Sequence, residues 1–411
     1  MVGLEHPQPV RTHRTLFAGA LVAISLFGDS YLYAVLPVYY AEAGVGLVAV
    51  GWLLSINRWV RFFTNPLAGV IGPRVGWGWA FAGALWLAAA TTAGYGVLKG
   101  LAALLVVRAL WGLCWSFLRL GGMAAVLADS PEGRRGRLMG LFTGVFRLGS
   151  VVGVAVGGYL ADRLGFGPTA LLFGAATALG ALVASLPPAL AGRWGAPGRN
   201  ADLPASNGGM HTHWLPTTGP ELAASFSASM LQLVVSGLVT GTLGLLVKER
   251  LGADVAAGPW VMGAATVTGL LLGSRFLIDL VVGPAVGHWA DRRGRGLALG
   301  AATAVIAGAL VVLGLAHSLT AISVAALALF GAATGAMAIL DAWAGDLAGR
   351  APGRFLPAYN TWLDLGAATG PIAGYYLAAQ YGLAATYGSG IVALLLAGGL
   401  RVWLARREGE D

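Results

Sequence analysis

Long apolar runs separated by short polar stretches make up most of the chain. A helix needs about twenty mostly apolar residues to cross the ~30 Å hydrocarbon core of a bilayer. Twelve runs reach about that length, at residues 15–38, 48–71, 78–98, 101–127, 138–161, 167–190, 221–247, 258–286, 297–316, 319–345, 356–378 and 384–404. The pattern predicts an all-α membrane protein with twelve transmembrane helices.

A polar interval separates the first six runs from the last six. Residues 191–220 are rich in glycine, proline and asparagine, which is typical of a linker. We therefore expect an N-terminal six-helix bundle (1–190), a cytoplasmic linker (191–220) and a C-terminal six-helix bundle (221–411). His211 and His213 lie in the linker without cysteine or carboxylate at ligand spacing, so neither a metal site nor a cofactor is expected.

The composition indicates that the lipid bilayer is the solvent for most of the chain. The 411 residues are 57% hydrophobic and 11% charged, whereas about a quarter of the residues in a soluble domain are charged. The 64 glycines suit membrane helices whose backbones pack closely. The net charge of +8 does not indicate a nucleic-acid partner, because the basic residues are concentrated in one set of loops. The single cysteine, Cys114, excludes an intrachain disulfide.

Arginine and lysine are distributed unevenly between the two sets of loops. Fifteen lie in the loops on the side of the N-terminus, and four lie in the opposite loops, at Lys99, Arg163, Lys248 and Arg250. Loops rich in arginine and lysine stay in the cytoplasm, so both termini are expected to be cytoplasmic. We expect a multi-pass monomer in the cell inner membrane.

The two halves of the chain repeat in sequence. Residues 137–165 superpose on residues 354–382 at an offset of 217. NPLAG (65–69) falls on GPAVG (283–287) at an offset of 218. Two parallel six-helix repeats are the architecture of one large group of transporters.

Three motifs carry a resemblance to one family. GHWADRRGRG (287–296) resembles the cytoplasmic Gly-x-x-x-Asp-Arg-x-Gly-Arg signature of the major facilitator superfamily. VVRALWG (106–112) is similar to its arginine-containing fourth-helix motif, and the glycines of the fifth run are similar to its antiporter motif. The chain departs from the family at Pro73, where an acid is expected, and at Val154, where a proline is expected.

The resemblance covers nearly the whole chain and implies two pseudo-symmetric bundles that alternate access to a central site. It implies a cytoplasmic gate at Gly287, Asp291, Arg292, Gly294 and Arg295. It says little about the substrate, because the family transports many kinds of solute. The absent proline in the fifth run weakens an argument for drug–proton antiport.

The repeat places arginine in one half where the other half has aspartate. Arg61 falls on Asp279, and Arg147 falls on Asp364. The resemblance implies that the second span packs against the eleventh and the fifth against the eighth, so we expect interdomain ion pairs Arg61–Asp364 and Arg147–Asp279. Such pairs would reduce the cost of burying each charge and would rearrange as access alternates. The alternatives are an intrahelical pair between Arg275 and Asp279, with only structural value, and direct contact of these charges with the substrate.

A positive excess remains inside the predicted spans. The first half has five arginines against one aspartate, and the second half has one arginine against three aspartates, a net charge of +2. Arginine holds carboxylate or phosphate through two parallel hydrogen bonds, so this excess favours a small organic anion. Arg58, Arg108 and Arg119 are the candidate contacts, with Trp115 stacking on the anion. Alternatively, Arg108 and Arg119 snorkel to the membrane surfaces and Arg58 belongs to the interface between the halves.

Two other polar features lie within spans. Asp29 is the only acid in a first-half span and suits a proton carrier, with a salt bridge to a fourth-span arginine as the alternative. The seventh run carries polar side chains on one helical face, at Ser225, Ser229, Gln232, Ser236 and Thr240. A polar face avoids lipid, so Gln232 and Ser236 are further candidates for substrate contact.

Motifs that the sequence lacks also narrow the function. No lysine lies in a Gly-Lys-Ser/Thr loop, so transport would use a gradient rather than a nucleotide. No histidine lies inside a predicted span, and we expect no enzyme activity. The leading interpretation is a secondary active transporter of a small organic anion, coupled to protons. The alternative is a proton-driven efflux pump for amphipathic, drug-like compounds.

Overall fold

The computed structural model describes residues 12–128, 135–186, 215–349 and 352–408, and these residues are almost entirely helical. The first half contains α1 (Thr12–Tyr39), α2 (Leu47–Val75), α3 (Trp77–Val97), α4 (Leu101–Ala128), α5 (Arg135–Leu164) and α6 (Phe166–Ser185). The second half contains α7 (Gly219–Leu251), α8 (Ala264–Arg293), α9 (Arg295–Leu315) and α10 (Leu319–Ala348). The helical stretch Pro352–Glu408 is interrupted at Gly382, which divides it into α11 (352–381) and α12 (383–408).

The helices are long enough to cross a membrane. Within the described ranges, nine helical segments have both the length and the apolar character of a span, and one of these is the α11–α12 pair. Counting that pair as two and adding α2 and α8, which are 29 and 30 residues long, gives twelve. The protein is therefore an all-α, multi-pass membrane protein. Most of the predicted linker, including His211 and His213, lies outside the described residues.

The start of the eighth span differs from the sequence-based expectation. The apolar run predicted a helix from residue 258, but the helix begins at Ala264. The preceding residues form an antiparallel hairpin of β1 (Asp254–Ala257) and β2 (Trp260–Gly263). Gly258 has a φ of +62° in the turn of this hairpin, a backbone conformation that glycine adopts readily and that does not occur inside an α-helix. Although residues 258–263 are apolar, the hairpin therefore delays the start of the eighth helix to Ala264.

The sequence repeat is visible in the backbone. Gly76 and Gly294 join α2 to α3 and α8 to α9 with φ values of 92° and 94°. Gly165 and Gly382 join α5 to α6 and α11 to α12 with φ values of 91° and 80°. Only glycine adopts such angles without strain, so corresponding tight connections recur at the same place in each half.

The two halves meet through α2 against α11 and α5 against α8, as the resemblance implies. Glycine allows these backbones to approach closely. A Cβ atom on Gly158 would lie 2.2 Å from the carbonyl oxygen of Ala265 in α8, and one on Gly51 would lie 2.6 Å from that of Pro371 in α11. Both interfaces therefore depend on residues without side chains.

The seventh span contains an irregular turn. Residues Leu233–Val239 are π-helical, and the hydroxyl of Thr240 donates to the carbonyl oxygen of Val235 at 2.7 Å. The segment packs against α11, where a Cβ on Gly237 would lie 2.5 Å from the Cα of Gly370. A π-helical turn inside an α-helix is common at functional sites.

Candidate functional site

A cavity of about 230 Å³ lies between the two halves. Helices α1, α2, α4 and α5 line one side, and α7 and α8 line the other. Its charged lining residues are Asp29, Arg58, Arg61, Arg147 and Arg275. Cavities between helices of a bundle are a usual place for a small-molecule site, and this lining is predominantly positive.

The structure brings both expected interdomain ion pairs together. Nη2 of Arg61 on α2 lies 3.6 Å from Oδ1 of Asp364 on α11. Nη1 of Arg147 on α5 lies 3.8 Å from Oδ2 of Asp279 on α8. The other carboxylate oxygen, Oδ1, accepts a hydrogen bond from the hydroxyl of Thr334. The intrahelical alternative, with Asp279 as the salt-bridge partner of Arg275, is not the arrangement found among the described residues.

Arg108 is not part of the cavity wall. Its side chain is fully buried and donates from Nη1 to Oδ1 of Asp29, and from Nε to the carbonyl oxygen of Leu53 at 3.1 Å. The amide nitrogen of Asn57 lies 3.4 Å from the same carboxylate oxygen. Thus the expected contact of Arg108 with a solute is replaced by the alternative, a fourth-span salt bridge to Asp29. The reason is that α4 directs Arg108 into its packing surface against α1 and α2.

Arg275 is a cavity arginine that sequence reasoning did not select. Its Nη1 donates to the hydroxyl of Thr240 at 2.6 Å, and its Nη2 donates to that of Ser236 at 2.7 Å. The guanidinium also lies over the ring of Phe330, 5.8 Å from its centroid. It forms no salt bridge with any carboxylate in the part of the chain that the structure describes. Neutral hydroxyls hold the group in place, and Asp279, one turn further along α8, is a nearby negative charge without direct contact.

Arg58, on the opposite wall of the cavity, also lacks a salt bridge within the described ranges. It lines the cavity together with Tyr33. The cavity therefore presents one guanidinium without a carboxylate from each half of the protein.

The other candidate residues are divided between the cavity and its surroundings. Trp115 and Ser236 line the cavity, as expected. Arg119 is exposed and outside the cavity lining, because it lies one turn beyond Trp115 on α4. Gln232 points away from the cavity and donates to the sulfur of Met337 on α10 at 3.7 Å.

The expected gate residues are only partly described. The side chains of Asp291 and Arg292, and the surroundings of Gly287, lie outside what the structure describes. Gly294 makes the tight connection between α8 and α9. Arg295, which begins α9, forms a salt bridge with Asp346 near the end of α10. This contact joins helices of the same half.

One end of the bundle, where α1, α5 and α7 finish and α8 begins, is closed by contacts between the halves; we call it the closed end. Asp162 on α5 accepts hydrogen bonds from the backbone N–H of Thr266 at 2.6 Å and from the Thr266 hydroxyl. It also accepts one from the hydroxyl of Tyr39 at 2.8 Å. Nζ of Lys248 on α7 donates to the carbonyl oxygen of Val38 on α1. Toward the other end, by contrast, the side chain of Arg147 is 48% exposed.

Comparison with known proteins identifies the family. A model of the Major Facilitator Superfamily matches residues 18–275, more than half of the chain. The chain belongs to the Major Facilitator Superfamily. The human and rat synaptic vesicular amine transporters are each 30% identical to it over 121 residues, 29% of this chain. The match spans 23% of the length of those transporters.

Solved structures of other transporters share the fold over nearly the whole chain. A bacterial homologue of the human lysosomal transporter Spinster, inward-facing and occupied, superposes with a TM-score of 0.74 and 13% identity over 98% of both chains. A POT family transporter in complex with 5-aminolevulinic acid gives 0.74 and 15% over 98% of both. A peptide transporter POT in complex with sulfate gives 0.71 and 16%, over 98% of this chain and 96% of the other. At these identities the likeness shows the fold alone.

Proposed function

We propose that this member of the superfamily is a secondary active transporter that moves a small organic anion by alternating access, coupled to protons. It would lie in the cell inner membrane with both termini in the cytoplasm and bind its solute in the central cavity. The observation that carries the proposal is the pair of arginines, Arg58 and Arg275, that face the cavity from opposite halves without a carboxylate partner among the described residues.

The charge balance around the cavity supports an anion. Five arginines meet three aspartates there: Arg58, Arg61, Arg108, Arg147 and Arg275 against Asp29, Asp279 and Asp364. The net charge is +2, and charges near or inside a protein interact more strongly than charges in bulk water. A carboxylate between the two unpaired guanidiniums would accept charge-assisted hydrogen bonds from both halves. Binding would thus draw the halves together around the solute.

The contacts between the halves support alternating access. The closed end is held by Asp162 and Lys248, whereas the two ion pairs lie beside the cavity. Both pairs are longer than close charge-assisted hydrogen bonds, which measure about 2.7–2.9 Å. Contacts of this length can part and re-form at modest cost. In the proposed cycle, the closed end opens while the ion pairs tighten or exchange partners.

The salt bridge to Arg108 is the alternative expected for Asp29, and we propose that Asp29 nevertheless carries the proton, in the same direction as the anion. A proton on Asp29 would remove its charge, weaken the pair with Arg108, and raise the positive excess around the cavity by one. The anion would then bind more strongly with a proton than without one, which is symport. In proteoliposomes, anion uptake should rise when the side from which the anion enters is made acidic, and a proton ionophore should abolish the rise. Uptake that ignores the pH gradient would exclude proton coupling.

The test of the transported charge is uptake by the purified protein in proteoliposomes. Labelled small carboxylates should accumulate, and labelled tetraphenylphosphonium, a lipophilic cation, should not. Arg58→Gln and Arg275→Gln should each lower carboxylate uptake at least tenfold, since each removes one of the two charged contacts. Arg406→Gln, an exposed change at the end of α12, is the matched control. Uptake of the cation alone would refute an anion transporter.

The second candidate is efflux of an amphipathic compound. It is favoured by the partial match to the vesicular amine transporters and by the aromatic rings in the cavity lining. An amine is positively charged at neutral pH, however, and would meet a net positive cavity. The same uptake experiment separates the two candidates.

A further inference from the structure

The cavity has two chemically different parts. The first half supplies rings from Tyr33, Trp111, Trp115 and Phe146, and the second half supplies Arg275 and the ring of Phe276. Arg58 lies on the side with most of the rings. A solute that fills the cavity therefore meets an aromatic wall and two guanidinium groups that lack a salt bridge among the described residues.

The aromatic wall is held rigidly. Trp115 stacks on Trp111 with ring centroids 5.9 Å apart and planes 14° from parallel. Phe146 meets Trp115 edge to face at 5.9 Å, and Phe142 supports Phe146 at 5.4 Å. Rings fixed in this way lose little freedom when another ring packs against them, which favours binding.

The cationic part is fixed as well. Two hydroxyls on α7 hold the guanidinium of Arg275 at 2.6 and 2.7 Å. Because arginine has five N–H donors, these two bonds leave others to face a ligand. A planar, preorganised donor group matches a carboxylate better than it matches a neutral solute.

The cavity is large enough for a small solute. At about 30 Å³ per water molecule, 230 Å³ holds at least roughly eight waters. A six-membered ring with a carboxylate has nine non-hydrogen atoms and therefore fits.

We infer that the solute is a small aromatic monocarboxylate, with its carboxylate between Arg58 and Arg275 and its ring against Trp115 and Phe146. This inference rests on the proposed anion transport and specifies, in addition, that the anion carries an aromatic ring. The carboxylate supplies attraction to both halves. The ring supplies selectivity over aliphatic acids of equal charge, because aromatic pairs interact through their faces and edges.

The test compares ligands that differ in one property. Binding to the detergent-purified full chain is measured by calorimetry for benzoate, cyclohexanecarboxylate, acetate and benzylamine. Benzoate and cyclohexanecarboxylate carry the same charge and number of carbon atoms, but only benzoate has an aromatic ring. We expect benzoate to bind about three- to tenfold more tightly than cyclohexanecarboxylate, acetate to bind weakly, and benzylamine not to bind.

Variants of the protein then test whether Trp115 is responsible for the preference for benzoate. Trp115→Leu should remove the preference for benzoate over cyclohexanecarboxylate, and Trp115→Phe should retain it. Trp403→Leu, at an exposed tryptophan on α12, should leave it unchanged. If Trp115→Leu does not fold, the wild-type comparison still decides whether an aromatic ring is preferred.

The outcomes separate the two levels of the argument. Equal binding of the two carboxylates would overturn the aromatic inference and leave anion transport standing. A preference for benzoate that survives in Trp115→Leu would also overturn the assignment of the ring to this wall. Binding of benzylamine with none of the carboxylates would overturn both.

Discussion

Asp162 is the residue through which the closed end can be tested most directly. Its carboxylate on α5 accepts two hydrogen bonds from Thr266, which lies in the first turn of α8 in the other half. It accepts a third from Tyr39 of its own half. The negative charge also lies at the N-terminus of α8, where the helix dipole favours it. Asp162→Asn keeps the size and shape of the side chain while it removes the charge.

Asp162→Asn should shift the equilibrium between molecules whose closed end is shut and molecules in which it is open. Hydrogen bonds to a charged group contribute about 1.5–3 kcal/mol each, and a charge at a helix N-terminus contributes about 0.3–1 kcal/mol. Asparagine keeps one acceptor oxygen, so we expect a net loss of about 2–3 kcal/mol at the closed end. At ~1.4 kcal/mol per factor of ten, the ratio of open to closed molecules rises roughly 30- to 140-fold. An open population of about 1% would become about a quarter to more than half.

Distances between spin labels measure this change. Lys99→Cys in the first half and Val261→Cys in the second place exposed labels at the closed end, in a Cys114→Ala background that removes the buried thiol. Double electron–electron resonance should show one short distance in the parent and an added longer distance in Asp162→Asn. Glu42→Gln, which neutralises an exposed acid at the same end, is the control. An unchanged distribution in Asp162→Asn would refute the role of this carboxylate.

Two further predictions concern the contact between the halves. Arg61→Asp and Asp364→Arg should each abolish transport, and the double exchange should recover part of it; a double variant no better than either single one would contradict the pairing. Gly158→Ala should lower the melting temperature in detergent, because its Cβ would lie 2.2 Å from the α8 backbone and overpacking costs about 1–3 kcal/mol. Gly144→Ala, with no atom within 4 Å, should not, and equal effects of the two would contradict the close approach of α5 and α8.

The internal repeat explains why the ion pairs could be predicted. Offsets of 218 and 217 align Arg61 and Arg147 with aspartates of the other half. The family resemblance then implies which spans pack together, so the two pairs follow without any knowledge of side-chain conformation. The same reasoning could not place Arg108 and Arg119. Periodicity along α4 shows which residues share a face, but it does not show which neighbouring helix that face meets. In the structure, Arg108 meets α1 and the carboxylate of Asp29.

The roles of other site residues could not be predicted from the sequence, because their partners lie on other helices. Arg275 aligns with Asn57 in the repeat and has Asp279 one turn away, which suggested a local pair rather than a cavity group. The polar stripe of α7 was the useful signal, since Ser236 and Thr240 are the residues that hold Arg275. Asp162 stands beside Arg163 at the end of a span and resembled an ordinary loop charge. Its contact with Thr266 crosses 104 positions in sequence, and no local pattern reports it.

The π-helical segment of α7 determines how the hydroxyls of Ser236 and Thr240 hold Arg275. Ser236 lies within the segment and Thr240 directly follows it, so the winding of this one stretch sets the angle between the two hydroxyls that hold the guanidinium. An α-helix closes its hydrogen-bonded rings one residue earlier than a π-helix. Tightening the segment to α-helical winding would rotate one hydroxyl away from the other and free a guanidinium nitrogen. A change of helical pitch alone, with neither half moving as a body, would then reset how firmly the arginine is tethered.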